Sequence, residues 1–147
     1  MKLSQKGEYG LLALLELAAQ RGAGPVPSAA IAAAREIPAQ YLQQILLVLR
    51  RAGLIRSERG PRGGHCLARP PAEISLLEAV RVLEGTTAPA PCAEPGAVPG
   101  CRQYDRCVLA GIWRRVDEAT QAVLGAVTLA DLARQEREQC SAPMYYI

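Results

Sequence analysis

Three cysteines stand close together in the second half of the chain, in the pattern Cys92-x8-Cys101-x5-Cys107. Thiolates suit soft metals, and a four-ligand iron–sulfur cluster needs only one donor more than this stretch supplies. The same spacing also fits free thiols, a zinc site or a redox disulfide. Pro89, Pro91, Pro95 and Pro99, with Gly96 and Gly100, forbid regular helix or strand across the stretch. A constrained loop is therefore expected from 86 to 107, ending where Cys107 enters a helix. Cys66 and Cys140 lie far from it in sequence. The only histidine, His65, has no acidic partner of evident geometry, which argues against a cysteine-nucleophile enzyme and for a non-enzyme.

The elements around the loop follow from periodicity and caps. Half of the 147 residues are apolar, mostly Ala, Leu and Val with no Phe, and this composition favours a mainly helical protein. Ser4 caps a first helix to about Gln20, and Ser28 is placed to cap a second, from Ala29 to about Glu36. A third helix runs from Pro38 to Ala52, burying Tyr41, Leu42, Ile45, Leu46, Val48 and Leu49. Its remaining face carries Gln40, Gln43 and Gln44 near the N-terminal end, where recognition helices meet base edges.

Leu54 to Arg59 and His65 to Arg69 read as two strands about the turn Gly60-Pro61-Arg62-Gly63-Gly64. Two helices and a hairpin make a winged helix-turn-helix. Arg56, Arg59, Arg62 and Arg69 give the wing a basic character, with Arg59 and Arg62 bracketing its tip. Ser28, Tyr41 and Arg50 complete the expected DNA-contact set. Charge agrees: residues 1–70 hold ten Lys and Arg against four Asp and Glu, a balance of +6, and residues 71–147 balance at −3.

Beyond the wing, Ser75 and Glu78 form an expected capping box for a short helix, Leu76 to Glu84, closed by Gly85. After the cysteine loop, Leu109, Ile112, Val116, Ala119 and Val123 recur in steps of three and four, a stripe suited to pairing two helices into a homodimer. Packing of that helix on its own domain is the alternative. Thr128 and Asp131 cap a last helix to about Gln139, and a tail from Cys140 to Ile147 is expected to be loose. This divides the chain into a DNA-binding part (1–85), the cysteine loop (86–107) and a dimerisation and C-terminal part (108–147). No apolar run long enough for a membrane span or a signal peptide occurs, so a cytoplasmic protein with no membrane partner is expected.

Several of these segments resemble the Rrf2 family of bacterial regulators. They are Gln40-Tyr41-Leu42-Gln43-Gln44-Ile45-Leu46, Leu49-Arg50-Arg51-Ala52-Gly53-Leu54-Ile55, and the wing Arg59-Gly60-Pro61-Arg62-Gly63-Gly64-His65-Cys66-Leu67-Ala68. Leu3-Ser4 with Glu8-Tyr9, the Ile74-Ser75-Leu76 box, the three-cysteine loop and Thr128-Leu129-Ala130-Asp131-Leu132 match as well. The resemblance covers nearly the whole chain. It implies a dimeric transcription repressor acting at a roughly palindromic operator in double-stranded DNA. It also implies an iron–sulfur cluster on Cys92, Cys101 and Cys107 that responds to nitric oxide, iron or redox state.

One branch of the family has a histidine ligand three residues after the last cysteine; here that residue is Ala110. Another takes its fourth ligand from an acidic residue early in the first helix, and Glu8 stands at that place. Cys66 replaces a frequent tyrosine and is expected as a small core residue. Two other readings remain at this level: a cluster-free regulator that senses thiol redox state or binds zinc, and a winged helix that grips a protein.

Overall fold

In the computed structural model, residues 1–96 and 100–142 are described; Pro99 and the tail tyrosines lie outside them. Six helices and one hairpin follow in the order α1 (Gln5–Ala19), α2 (Ser28–Arg35), α3 (Ala39–Arg51), β1 (Ile55–Glu58), β2 (Gly64–Leu67), α4 (Leu76–Glu84), α5 (Val108–Gly125) and α6 (Leu129–Ser141). The mainly helical winged fold is thus observed. Short 3-10 turns at Pro71–Glu73, Pro91–Ala93 and Tyr104–Arg106 fill the proline-rich connections.

Helix starts obey local chemistry at three places. The Ser4 hydroxyl accepts the Gly7 amide at 3.0 Å, and Ser75 accepts that of Glu78 at 3.1 Å. At α6 the expected Thr128–Asp131 box is complete: Thr128 accepts the Asp131 amide at 3.2 Å and Asp131 accepts the Thr128 amide at 3.0 Å. Only half of the Ser75–Glu78 box forms, because the Glu78 carboxylate turns to the Arg69 guanidinium instead. A cationic partner outcompetes a neutral amide for a carboxylate.

One core joins α1, α2, α3, α4 and α6 with the base of the wing; Leu14, Ile31, Leu42, Ile45, Leu49, Leu54, Ile74 and Leu129 are fully buried in it. Close approach of α1 to α4 rests on Gly10, where a β-carbon would stand 2.4 Å from Leu83 Cδ2. A central ion pair ties three helices. Arg35 on α2 donates through Nε to Glu16 of α1 at 2.8 Å and through Nη2 to Glu136 of α6 at 2.9 Å.

β1 and β2 are antiparallel, with Ile55 opposite Leu67 and Glu58 opposite Gly64. Val26 extends this hairpin by one bridge, exchanging both backbone hydrogen bonds with His65 at 2.8 Å. Gly64 makes that possible, since a β-carbon there would meet the Val26 carbonyl carbon at 2.5 Å. The wing is therefore anchored to the segment before α2.

Among the described residues, nothing buries the α5 stripe. Leu109, Ile112, Val116, Ala119 and Val123 are all exposed, whereas Ala110 and Asp117 form the buried side of the helix. The C-terminal expectation needs one correction. Helix α6 continues through Ser141, so Cys140 is an exposed residue of a helix, and beyond it the Ala142 amide donates to the Glu138 carbonyl; the rest of the tail expected to be loose, 143–147, lies outside the described residues. Among the described residues, no helix is long and apolar enough to cross a membrane.

Candidate DNA interface and cysteine loop

Helix α3 buries Leu42, Ile45, Leu46 and Leu49, which turns Gln40, Gln43, Gln44 and Arg50 to solvent. The 3.6-residue period sets this division, with Tyr41 and Val48, expected to be buried, half-buried at its edges. Basic Arg50 and Arg51 end the helix, complementing its negative pole. Arg59 and Arg62 are exposed at the wing tip. Between helix and wing runs a groove of about 250 Å³ lined by Gln43, Leu46, Leu47, Arg50, Ser57 and His65.

Sequence reasoning mispositioned Ser28. It is the first residue of α2, with Pro27 at the cap, and its side chain makes no capping bond. Its hydroxyl instead accepts from Gln43 Nε2 at 2.9 Å. Proline at the cap already holds the extended angles the chain needs there, φ −59° and ψ 143°, leaving Ser28 free to reach α3. Tyr41 is half-buried, its ring edge-on to Tyr9 with centroids 5.8 Å apart.

Two of the four wing arginines serve the fold. Arg69 donates to the Glu73 carbonyl at 3.1 Å and pairs with Glu78. Arg56 Nε donates to Cys66 Sγ at 3.0 Å. Cys66 is therefore a half-buried residue of the wing surface, in contact with a guanidinium, and lies outside the core cluster expected for it. The β alternation explains this: Leu67 takes the inward position, and its neighbour must point the other way.

The sequence reading missed Leu47 and the Ser57–His65 pair. Leu47 is an exposed apolar residue on the polar face of α3. Ser57 Oγ and His65 Nδ1 are hydrogen-bonded at 2.8 Å. Burial and the nearby Arg50 charge push the His65 pKa below its ordinary value. The available signal was register: Ser57 and His65 pair directly across the hairpin.

The cysteines of the loop differ in setting. Cys92 sits in the 3-10 turn Pro91–Ala93, whose Ala93 is buried. Cys101 is exposed, and a turn links it to Cys107: Tyr104 donates to the Cys101 carbonyl at 3.2 Å and Cys107 to that of Tyr104 at 3.3 Å. Cys107 is half-buried at the N-cap of α5. Glu8 is exposed in the first turn of α1. In kind, three thiols and a carboxylate suit an iron–sulfur centre. In placement they do not, because among the described residues no three His, Cys, Asp or Glu side chains are gathered as a metal requires.

Comparison with known proteins agrees with this architecture. Residues 3–135 match the Rrf2 family profile, described as an iron-dependent transcriptional regulator. The chain is 37% identical to the HTH-type transcriptional regulator CymR of Bacillus subtilis, over the full length of both. It is 33% identical to IscR of Xenorhabdus nematophila over 92% of this chain and 81% of that one. A solved structure of T. potens IscR superposes with a TM-score of 0.76 at 34% identity, covering 99% of this chain and 95% of the other. That of B. subtilis CymR, described as the global cysteine regulator, gives 0.75 at 36% identity, covering 92% and 98%. With its winged reading head, basic wing tip and full-length likeness to such regulators, the chain belongs to the Rrf2 family of DNA-binding transcription regulators.

Proposed function

We propose that this regulator acts as a homodimeric repressor: the exposed stripe of α5 joins two copies, and each lays α3 in the major groove of a roughly palindromic operator. The observation that carries the reading is the exposed face Gln40, Gln43, Gln44 and Arg50 beside a wing tip bearing Arg59 and Arg62. Glutamines read base edges and the arginines fix the wing on phosphates, while Ser28 and Tyr41 border the contact. Control resides in the cysteine loop. Cys92, Cys101 and Cys107, with Glu8 as fourth ligand, are the donors that would hold an iron–sulfur cluster once drawn together, and its state would set DNA affinity in response to nitric oxide, iron or oxidant.

A second reading of the loop, thiol chemistry or zinc without a cluster, is favoured by the separate settings of the three thiols and by the likeness to a protein described as a cysteine regulator. Two measurements test the proposal. Gln43→Ala should relax base preference at one operator position by about 1–3 kcal/mol, and Arg59→Ala should weaken all sequences alike and lower the salt slope by about one unit. Iron and sulfide analysis after purification without oxygen separates the two readings of the loop, since only a cluster contains both.

A further inference from the structure

The segment leading into the cysteine loop is fastened at one buried point. Thr87, five residues before Cys92, is 3% exposed, and its Oγ1 donates to Asp117 Oδ1 at 2.6 Å. Asp117 is itself 3% exposed, on a helix whose apolar residues face outward. Its second oxygen accepts from Gln121 Nε2 at 2.6 Å, and Gln121 Oε1 accepts from Arg81 Nη2 of α4 at 2.7 Å. The sense of this chain is fixed. Turning the Gln121 amide over would set its NH2 against the guanidinium and its oxygen against the carboxylate. Helix α4 in turn holds the start of α1, where Glu84 accepts from the Ser4 amide at 3.1 Å and the Ser4 hydroxyl at 2.6 Å.

A buried carboxylate must keep its donors, because losing one leaves charge that neither water nor protein satisfies. The 86–90 segment therefore cannot leave α5 without breaking the Thr87 bond. Through Gln121 and Arg81 the same carboxylate is tied to α4, part of the DNA-reading half. We propose that Asp117 is a positioning residue: it holds the cysteine loop against α5 through Thr87 and, through Gln121 and Arg81, passes the chemical state of the loop to the reading head. The second half of this inference rests on the loop being the regulatory site; the first does not.

The test uses the full-length protein purified without oxygen. Peptide mass spectrometry follows alkylation of Cys92 by N-ethylmaleimide, with exposed Cys140 on α6 as internal reference. Thr87→Val keeps the shape and removes the donor, and should speed Cys92 alkylation about tenfold, as expected for losing one hydrogen bond to a charged group. Thr87→Ser should restore the slow rate. Should Thr87→Val fail to fold, Thr87→Ala, which also lacks the donor, carries the same comparison with the same expected rise. Cys92 reacting at the wild-type rate in the folded variant, or no rescue by serine, overturns the positioning role.

For the relay, operator affinity is measured before and after alkylation in wild type and in Gln121→Leu, a half-exposed position. The ratio of the two affinities should fall toward one in Gln121→Leu; a full wild-type ratio there overturns the relay. Wild-type affinity indifferent to alkylation would instead defeat the regulatory reading of the loop, while the alkylation rates would still decide the positioning role.

Discussion

Gln43 of α3 donates its side-chain amide to the Ser28 hydroxyl of α2 at 2.9 Å, so a residue proposed to read a base is held in the free protein by a neighbour on the preceding helix. Such a bond orients the amide before DNA arrives and reduces the rotamer entropy lost on binding. Ser28→Ala should leave the fold intact, as the hydroxyl caps no helix. It should weaken operator binding by about 0.5–1.5 kcal/mol, the loss of one neutral hydrogen bond. Titration of operator and scrambled duplexes checks this, with the loss confined to the operator.

The exposed stripe of α5 gives a prediction about assembly. Ile112→Asp or Val116→Asp places a charge among Leu109, Ala119 and Val123, and should yield a folded monomer, since none of these residues belongs to the core cluster. Joining two reading heads multiplies affinity by about 10²–10⁴, so operator binding should fall by a factor in that range. Sedimentation and operator titration on the same sample test both statements. A dimer of undiminished affinity would show that the stripe serves another end.

If the loop holds a cluster, Cys92→Ala, Cys101→Ala and Cys107→Ala should each lose iron and sulfide, as should Glu8→Ala in part. Cys66→Ala and Cys140→Ala should not. Cys66 is engaged by Arg56 in the wing and Cys140 stands on α6, apart from the loop. Full iron and sulfide in Cys101→Ala would rule out the assignment.

Arg35 links Glu16 and Glu136, and its removal leaves the buried Glu16 carboxylate without its cation. Arg35→Met should destabilise the fold by about 3 kcal/mol, the lower end for breaking a buried pair. The pair also predicts acid sensitivity. The Arg35 hydrogen bond holds the Glu136 pKa below its ordinary value. A carboxylate with a depressed folded-state pKa adds stability that is fully present above its unfolded pKa, about 4.3, and is lost as pH falls through the lower folded value. Melting temperatures from pH 7 to pH 3 should therefore drop below about pH 4.3 in wild type, and drop less steeply in Glu136→Gln.

Much of this molecule is written in local sequence. Apolar spacing gave α1 and α3 nearly to the residue, Ser75 and Gly85 bounded α4, the Thr128–Asp131 box started α6, and the glycine-rich turn gave the wing, because each depends on neighbours within a few residues. The sorting of α3 into a buried and a polar face follows from the same periodicity. Contacts between distant segments decided the rest. Ser28 met Gln43 instead of capping α2, Glu78 met Arg69 instead of completing its box, and Arg56 found Cys66 across the hairpin and Arg69 the Glu73 carbonyl, while Arg59 and Arg62 stand exposed at the wing tip. A polar side chain goes to its strongest partner in space, and sequence spacing does not say who that partner is. Asp117 illustrates this best: as one acidic residue beside an apolar stripe it reads as solvent-facing, and only packing of the loop and α4 on the opposite side of α5 buries it with Thr87 and Gln121.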